Sequence, residues 1–359
     1  MLIFRYLAKE VFLTLFALTA ILLLIFLSNQ FVQYLTRAAN GQIPAMFILK
    51  LLMLELPNLL GLLLPLGFYV SILLAYGRLY AESEMTVLHA CGYGMKSLLR
   101  DTLCMATVVA FIVSVVVLYL SPDIAKERAR LLRTTGAQML IKTIMPERFQ
   151  MIPGTHDVFY VEAMNRAHTT AKGIFLARHQ ETEGQEMWQI LWADKGETFI
   201  DKKQHEDYVA LTSGHSYQGA PGSANYEVAS FKRLEARLPH PEFTYKATDL
   251  RGMSTRDLWP LNNPSSLKEA ELQWRISVPL MVFVLTLLAV PLSRVNPRSG
   301  KYASLLPAIV IFFLYANFMF IVRGWLVAER IPSWLGMWWL HLLFAALGGY
   351  LIFRQERLS

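Results

Sequence analysis

Charge is scarce in this chain. Only 17% of its 359 residues are Asp, Glu, Lys or Arg, against about 25% in an average soluble domain. That deficit, with 54% apolar residues, excludes a water-solvated surface over the whole chain and points to lipid as part of its solvent. Cysteine is almost absent. Cys91 and Cys104 are the two present, so the stretch 121–268 contains none; no disulfide holds it, and it must fold on its own core. Nucleotide and catalytic motifs are missing as well. Gly300-Lys301-Tyr302 lacks both the first glycine and the hydroxyl of a G-x-x-x-x-G-K-[ST] phosphate loop. There is no H-E-x-x-H, G-x-S-x-G or C-x-x-C, and the eight histidines show no metal-ligand spacing. The chain therefore does not hydrolyse ATP through a P-loop of its own. No catalytic residue, metal ligand or bound cofactor is expected in it. Energised work would draw on a partner or an ion gradient.

The formal charge is +7, unevenly placed. Between residues 121 and 268 fall 19 of the 34 basic and 18 of the 27 acidic residues, which leaves 15 basic against 9 acidic for the flanks. The excess thus belongs to the apolar parts. It carries no basic face with motif support of the kind that nucleic-acid binding needs.

A transmembrane helix takes about 20 mostly apolar residues. Six stretches qualify: Val11–Leu35, Met46–Tyr76, Ser97–Leu120, Leu272–Leu292, Tyr302–Leu326 and Trp334–Phe353. The first has no A-x-A-like site after it and is longer than a signal-peptide core, so it is expected to be retained. Lys and Arg in the short loops set orientation. One side carries Arg5, Lys9, Arg78, Lys96, Arg100, Arg294, Arg298, Lys301, Arg354 and Arg357; the other carries Arg37, Arg323 and Arg330. That bias puts both termini in the cytoplasm and the long segment between the third and fourth helices outside it. Trp325, Trp334, Trp338 and Trp339 stand near helix ends, as interfacial anchors do. Three regions follow: 1–120 with three helices, 121–268 outside, and 269–359 with three more.

The outer segment alternates like a β domain. Thr155–Glu162 sets Val158 and Tyr160 against Phe159 and Val161, and Lys172–His179 sets Ile174 and Leu176 against Phe175 and Ala177. Met187–Ala193, Glu197–Asp201, Tyr208–Thr212 and Tyr226–Phe231 are further short runs. Turn residues separate the runs: Pro153-Gly154, Glu183-Gly184, Lys195-Gly196, Ser213-Gly214 and Gly219–Ser223. This spacing suggests a sandwich, jelly roll or barrel. Asp123–Gly136 before it is charged and helical in pattern, and Thr244–Ser266 after it reads as a linker.

Charges near lipid are costly and usually have a reason. Lys50 lies about one turn inside the outer end of helix two. It either snorkels to the interface or meets an anionic headgroup, in which case Arg37 and Arg323, at the same outer level, would share one lateral opening with it. Glu55 shares a helix face with Asn58, which suggests a buried polar strip. Glu271 and Arg275 stand at i, i+4, the spacing of a local ion pair.

The cytoplasmic loop from Arg78 to Gly92 reads as a short helix stopped by Gly92 and Gly94, with Tyr80, Val87, Leu88 and Cys91 as a rough apolar stripe. Glu82 is placed to pair with Arg78 at i, i+4. Glu84 has no basic residue at either helical offset; it is either simply solvated or docks into a partner's groove.

The run Leu79-Tyr80-Ala81-Glu82-Ser83-Glu84-Met85-Thr86-Val87-Leu88-His89-Ala90-Cys91-Gly92 resembles the coupling-helix segment of the LptF/LptG (YjgP/YjgQ) family of lipopolysaccharide export permeases. So do Ala270-Glu271-Leu272-Gln273-Trp274-Arg275-Ile276, Val290-Pro291-Leu292-Ser293 and Val295-Asn296-Pro297-Arg298-Ser299-Gly300-Lys301. Leu306-Pro307-Ala308, Arg5-Tyr6-Leu7 and Ile43-Pro44-Ala45 also match. The resemblance implies six membrane helices with an all-β periplasmic jelly roll. It also implies pairing with a second, LptG-like permease on an LptB-like ATPase dimer that uses ATP, joined by an LptC-like bitopic protein. Such a complex extracts lipopolysaccharide from the inner membrane and passes it towards a periplasmic bridge. Glu84 matches the coupling acid that engages the ATPase, with Glu82, Met85 and Leu88 in the same helix. Arg37, Lys50 and Arg323 stay headgroup candidates on charge placement alone. Two rival classes remain. One is a membrane sensor, which would need a cytoplasmic output module; the other is an ion-coupled secondary transporter, for which Glu55 is the one deep acid.

Overall fold

The computed structural model describes residues 2–39, 43, 45–131, 146–151, 157–165, 170–182, 185–201, 206–223, 226–237, 250–259, 265–294 and 305–358. Helix α1 spans Leu2–Ala39. Helix α2 (Ile48–Ala81) begins from a 3-10 turn, Ala45–Phe47, and is followed by the short α3, Glu84–Ala90. Helix α4 (Met95–Val115) passes through a wide turn, Val116–Leu120, into helical residues 121–131. Helices α5 (Ser266–Leu292), α6 (Leu305–Val327) and α7 (Trp338–Leu358) complete the set among the described residues.

Among the described residues, five rods are long and apolar enough to cross a membrane: Leu2–Ala39, Ala45–Ala81, Met95–Leu131, Ser266–Leu292 and Leu305–Val327. Of the sixth apolar stretch, Trp334–Phe353, the part from Trp338 onward lies in α7, whose end carries Arg354, Glu356 and Arg357. Hydrocarbon offers no hydrogen bonds, so a spanning segment must satisfy its backbone internally, which a helix does. Pro57 and Pro65 in α2, and Pro279 and Pro291 in α5, each remove one such bond.

The chain divides into two compact units: residues 1–30, 52–126 and 247–359, and residues 31–51 and 127–246. In the first, α2 and α5 are central. About two-thirds of their apolar windows are buried, against 17% for α1 and 28% for α4 and α6. The outer three present Phe16, Leu24, Phe111, Leu306 and Phe313 outward, a surface suited to lipid chains or another apolar helix. Several polar groups inside are paired. Tyr69 donates to the Ala308 carbonyl at 3.0 Å, and the Tyr76 and Thr102 hydroxyls meet at 2.8 Å. Gln273 pins the α6–α7 turn, donating to the Ser333 carbonyl at 2.7 Å and accepting from the Met337 N–H at 3.0 Å.

The start of α5 is built on one guanidinium. Ser265 caps the helix, its hydroxyl accepting from the Lys268 N–H. Nearly three turns further in, Arg275 donates to Glu271 Oε1 at 3.1 Å, to the Met253 carbonyl at 2.9 Å and to the Thr255 hydroxyl at 3.1 Å. Its Nη2 reaches the Leu250 and Arg251 carbonyls, both at 3.0 Å. Thr255 in turn donates to the Leu118 carbonyl, in the wide turn of α4, at 2.6 Å. The expected Glu271–Arg275 pair is present, buried to 8% and 3% side-chain exposure, and Arg323 of α6 shares the same carboxylate at 2.6 Å.

The second unit holds a six-stranded antiparallel sheet in sequential order: β1 (Gln150–Met151), β2 (Val158–Met164), β3 (Thr170–Thr182), β4 (Gln185–Asp201), β5 (Glu206–Gly219) and β6 (Tyr226–Arg237). Two expected turns are not turns. Lys195-Gly196 lies inside β4 and Ser213-Gly214 inside β5, because both strands bend and continue instead of reversing. Each ladder from β2 to β6 skips one pair along a single line: Glu162, Gly173, Asp194, Ser213 and Lys232. Gly173 (φ 59°) and Ser213 (φ 54°) are left-handed there, and a Cβ on Gly173 would run into Glu162. The result is a crease across the sheet, the job that bulges and glycines do in curved sheets. The expected Gly219–Ser223 turn does reverse the chain, with the Ser223 N–H donating to the Ala220 carbonyl. Pro153-Gly154 and Glu183-Gly184 lie outside the described residues, as do residues 244–249 and 260–264 of the linker Thr244–Ser266.

Arg275→Met should lower the thermal midpoint of the detergent-solubilised protein strongly, in line with the roughly 3–5 kcal/mol lost when a buried ion pair loses one partner. Arg275→Lys, with three donors for five, should fall between Arg275→Met and the parent.

Candidate functional site

The chain turns from α2 into α3 at one residue. Ser83 adopts φ 63°, ψ 4°, which ends α2 and starts a new helix without an intervening loop. Gly92 (φ 85°) closes it. The Tyr93 N–H returns to the Leu88 carbonyl and the Gly92 N–H to the His89 carbonyl, both at 3.0 Å, the paired bonds of a glycine-terminated helix.

The break at Ser83 changes two expectations. Glu82 does not pair with Arg78. It has left the helix, and Arg78 donates instead to Glu10 of α1 at 2.6 Å, leaving Glu82 exposed. The apolar stripe is also reset. Met85 is fully buried and Leu88 packs partly against the same core, whereas Val87 is 63% exposed and Cys91 lies open. As expected, Glu84 has no helical partner. Its partner is distant in sequence: the Tyr6 hydroxyl of α1 donates to Glu84 Oε2 at 2.6 Å.

His89 closes the far end of α3. Its Nδ1 lies 2.7 Å from the Tyr93 carbonyl, which only accepts, so Nδ1 carries a proton; Nε2 lies 3.2 Å from the Tyr80 hydroxyl. Tyr93 donates to Asp101 at 2.8 Å. Burial, and then the Asp101 carboxylate, push the Tyr93 hydroxyl well above the usual phenol range. The corner is thus tied to α1, α2 and α4. Tyr6, Glu10 and His89 are the residues that sequence reasoning did not assign to it. Arg5-Tyr6-Leu7 was visible as a motif, but its contact spans 78 positions.

The three cations fall in both units. Arg37, at the end of α1, is exposed. Lys50 approaches Glu127 at 3.8 Å with both side chains about half exposed, a pair of little strength. These two belong to the unit that holds the sheet, and Arg323 belongs to the helical unit. Arg323 lies 5.0 Å above the Trp274 ring while it holds Glu271. Glu55 is buried and accepts from Asn58 at 3.1 Å, the polar strip expected. The Val295–Lys301 motif lies outside the described residues.

The sheet has two apolar faces. On one, Leu191, Ala193 and Leu211 pack with Ile174, Leu176, Phe231 and Leu234. On the other, cross-strand rows set Phe175 beside Trp192, Ile190 beside Tyr217, and Tyr217 beside Val228, with Phe149 against Tyr160 and Phe175. Trp188, Ile190, Trp192 and Tyr217 on that face are each 38–43% exposed.

Residues 5–354 match the family described as lipopolysaccharide export system permease LptF/LptG. Curated relatives include the lipopolysaccharide export system permease protein LptF of Escherichia coli K12, of Escherichia coli O157:H7 and of Shigella flexneri. Each is 30% identical over 351 residues, 97% of this chain and 93% of the relative. With membrane-length helices, a separate antiparallel sheet and a match over nearly its whole length, this chain belongs to the LptF/LptG family of lipopolysaccharide export permeases.

Proposed function

We propose that the chain is a permease subunit of a transporter that extracts lipopolysaccharide from the inner membrane and passes it to a periplasmic bridge towards the outer membrane. The observation that carries this reading is the family match over residues 5–354. The chain is a multi-pass membrane protein and a transport subunit, not an enzyme. ATP is consumed by a separate, LptB-like dimer, and an LptG-like permease and an LptC-like protein complete the assembly. Six spans, with α7 as the last, put both termini on one side, and the Lys/Arg bias of the short loops makes that side the cytoplasm. The regions 1–120, 121–268 and 269–359 are then the first three helices, a periplasmic jelly roll and the last three helices.

The physical case is as follows. Moving acyl chains from lipid into water costs about 0.8 kcal/mol per methylene, so the lipid needs a covered apolar route. The exposed aromatic face of the sheet and its crease support a folded roll with an apolar interior as that route. Headgroup phosphates suit Arg37, Lys50 and Arg323. Among the described residues Lys50 is held by an exposed pair with Glu127, so its ammonium is readily diverted to an anion. On the cytoplasmic side, Glu84 is the acid that would meet a cation of the ATPase. Glu82 and Leu88 flank it, and buried Met85 seats the helix. Neither the sensor nor the secondary-transporter reading is favoured by a comparable observation.

Glu84→Ala should weaken co-purification with the ATPase by about 10- to 100-fold, the scale of one charge-assisted hydrogen bond, or uncouple ATP hydrolysis from export. Unchanged capture and coupling would remove the coupling role. Lys50→Glu and Arg37→Glu should each reduce photo-crosslinking to lipopolysaccharide several-fold. For Arg323 the test is Arg323→Gln, which avoids setting a second carboxylate against Glu271. Crosslinking at the parent level in all three would leave these cations as interfacial anchors.

A further inference from the structure

The coupling acid does not stand alone, and what holds it lies on another helix. Helix α3 has seven residues, too few to be stable or directed by itself, so tertiary ties must set the direction of its first residue, Glu84. Those ties come from the start of α1. Tyr6 and Glu10 stand four apart, on one face of that helix. Tyr6 takes Glu84 on one side of the Ser83 break, and Glu10 takes Arg78 on the other, each at 2.6 Å. Beneath them Leu7 and Val11, also four apart, are fully buried in the core that holds Leu79 and Met85. One stretch of α1 therefore brackets the corner between α2 and α3 by two polar ties and an apolar seat.

We infer that Tyr6 is a positioning residue for Glu84, fixing its carboxylate for a cationic group on the cytoplasmic partner. The inference rests on the coupling role proposed for Glu84. The chemistry allows both contacts at once. A carboxylate accepts about four hydrogen bonds, and Tyr6 is the one partner of Glu84 among the described residues. The phenol therefore orients Oε2 and leaves Oε1 to a second donor. The bracket also makes the first turns of α1 and helix α3 a single mechanical element, so a push on α3 reaches α1 directly.

The test is a double-mutant cycle on the full complex reconstituted with its ATPase: parent, Tyr6→Phe, Glu84→Ala and the double variant, read as ATPase affinity and as ATP hydrolysed per lipid exported. Tyr6→Phe keeps the ring and removes only the donor. It should weaken ATPase binding about 3- to 10-fold, the scale of one hydrogen bond. The double variant should be no worse than Glu84→Ala alone, since Tyr6 acts through that carboxylate. A multiplicative loss in the double variant, parent-like behaviour of Tyr6→Phe, or tighter binding by it overturns the inference. Parent-like behaviour of Glu84→Ala overturns the coupling role as well, so the two failures are distinguishable.

Discussion

All five N–H donors of Arg275 are engaged inside the protein, and the helical unit is organised around that fact. A guanidinium in a low-dielectric interior is tolerable only when its hydrogen bonds are made and its charge is answered. Glu271 answers the charge, and the carbonyls of residues 250, 251 and 253 with the Thr255 hydroxyl take the remaining donors. The fork geometry of arginine makes this possible; lysine has neither the reach in two directions nor the donor count. Because Thr255 also binds the Leu118 carbonyl and Glu271 also binds Arg323, the one side chain joins α4, α5, α6 and the segment leading into α5.

The corner at Ser83 follows a different rule. There the constraint is a single left-handed residue, Ser83, between two helices. It turns the chain without a loop, so α3 is held close to the end of α2 and exchanges its register. That exchange exposes Val87, buries Met85 and frees Arg78 for Glu10. Helix α3 thus combines a buried seat at Met85, an acid that accepts from Tyr6 and an exposed Val87.

The sheet obeys a third constraint, curvature. Long antiparallel strands carry apolar side chains on both faces, so one face packs on itself and the other is left for something else. The crease through Gly173 and Ser213 lets strands of 13 to 17 residues bend without losing their pairing on either side. The same bend leaves the aromatic side chains of one face, Trp188, Trp192 and Tyr217, open.

Much of this was legible in the amino-acid order. Long apolar runs declare membrane helices because hydrocarbon demands them, and alternating Val158–Val161 and Ile174–Ala177 declare strands because side chains alternate across a sheet. The Glu271–Arg275 spacing and the Glu55–Asn58 pair were readable for the same local reason. The family motifs around Glu84 and Arg275 were readable as motifs. What the order of residues did not reveal depends on neighbours far apart in the chain. Lys195-Gly196 and Ser213-Gly214 look like turns, yet cross-strand pairing made them bends. Glu82 looks like a partner for Arg78, yet Glu10 lies closer once α1 and α2 pack. The sequence by itself determined the solvent of each segment and its local periodicity, since both depend on residues a few positions apart. Only the tertiary structure decided that Arg323 shares a carboxylate with Arg275 and that Tyr6 holds Glu84, because those contacts exist only after helices distant in the chain have met.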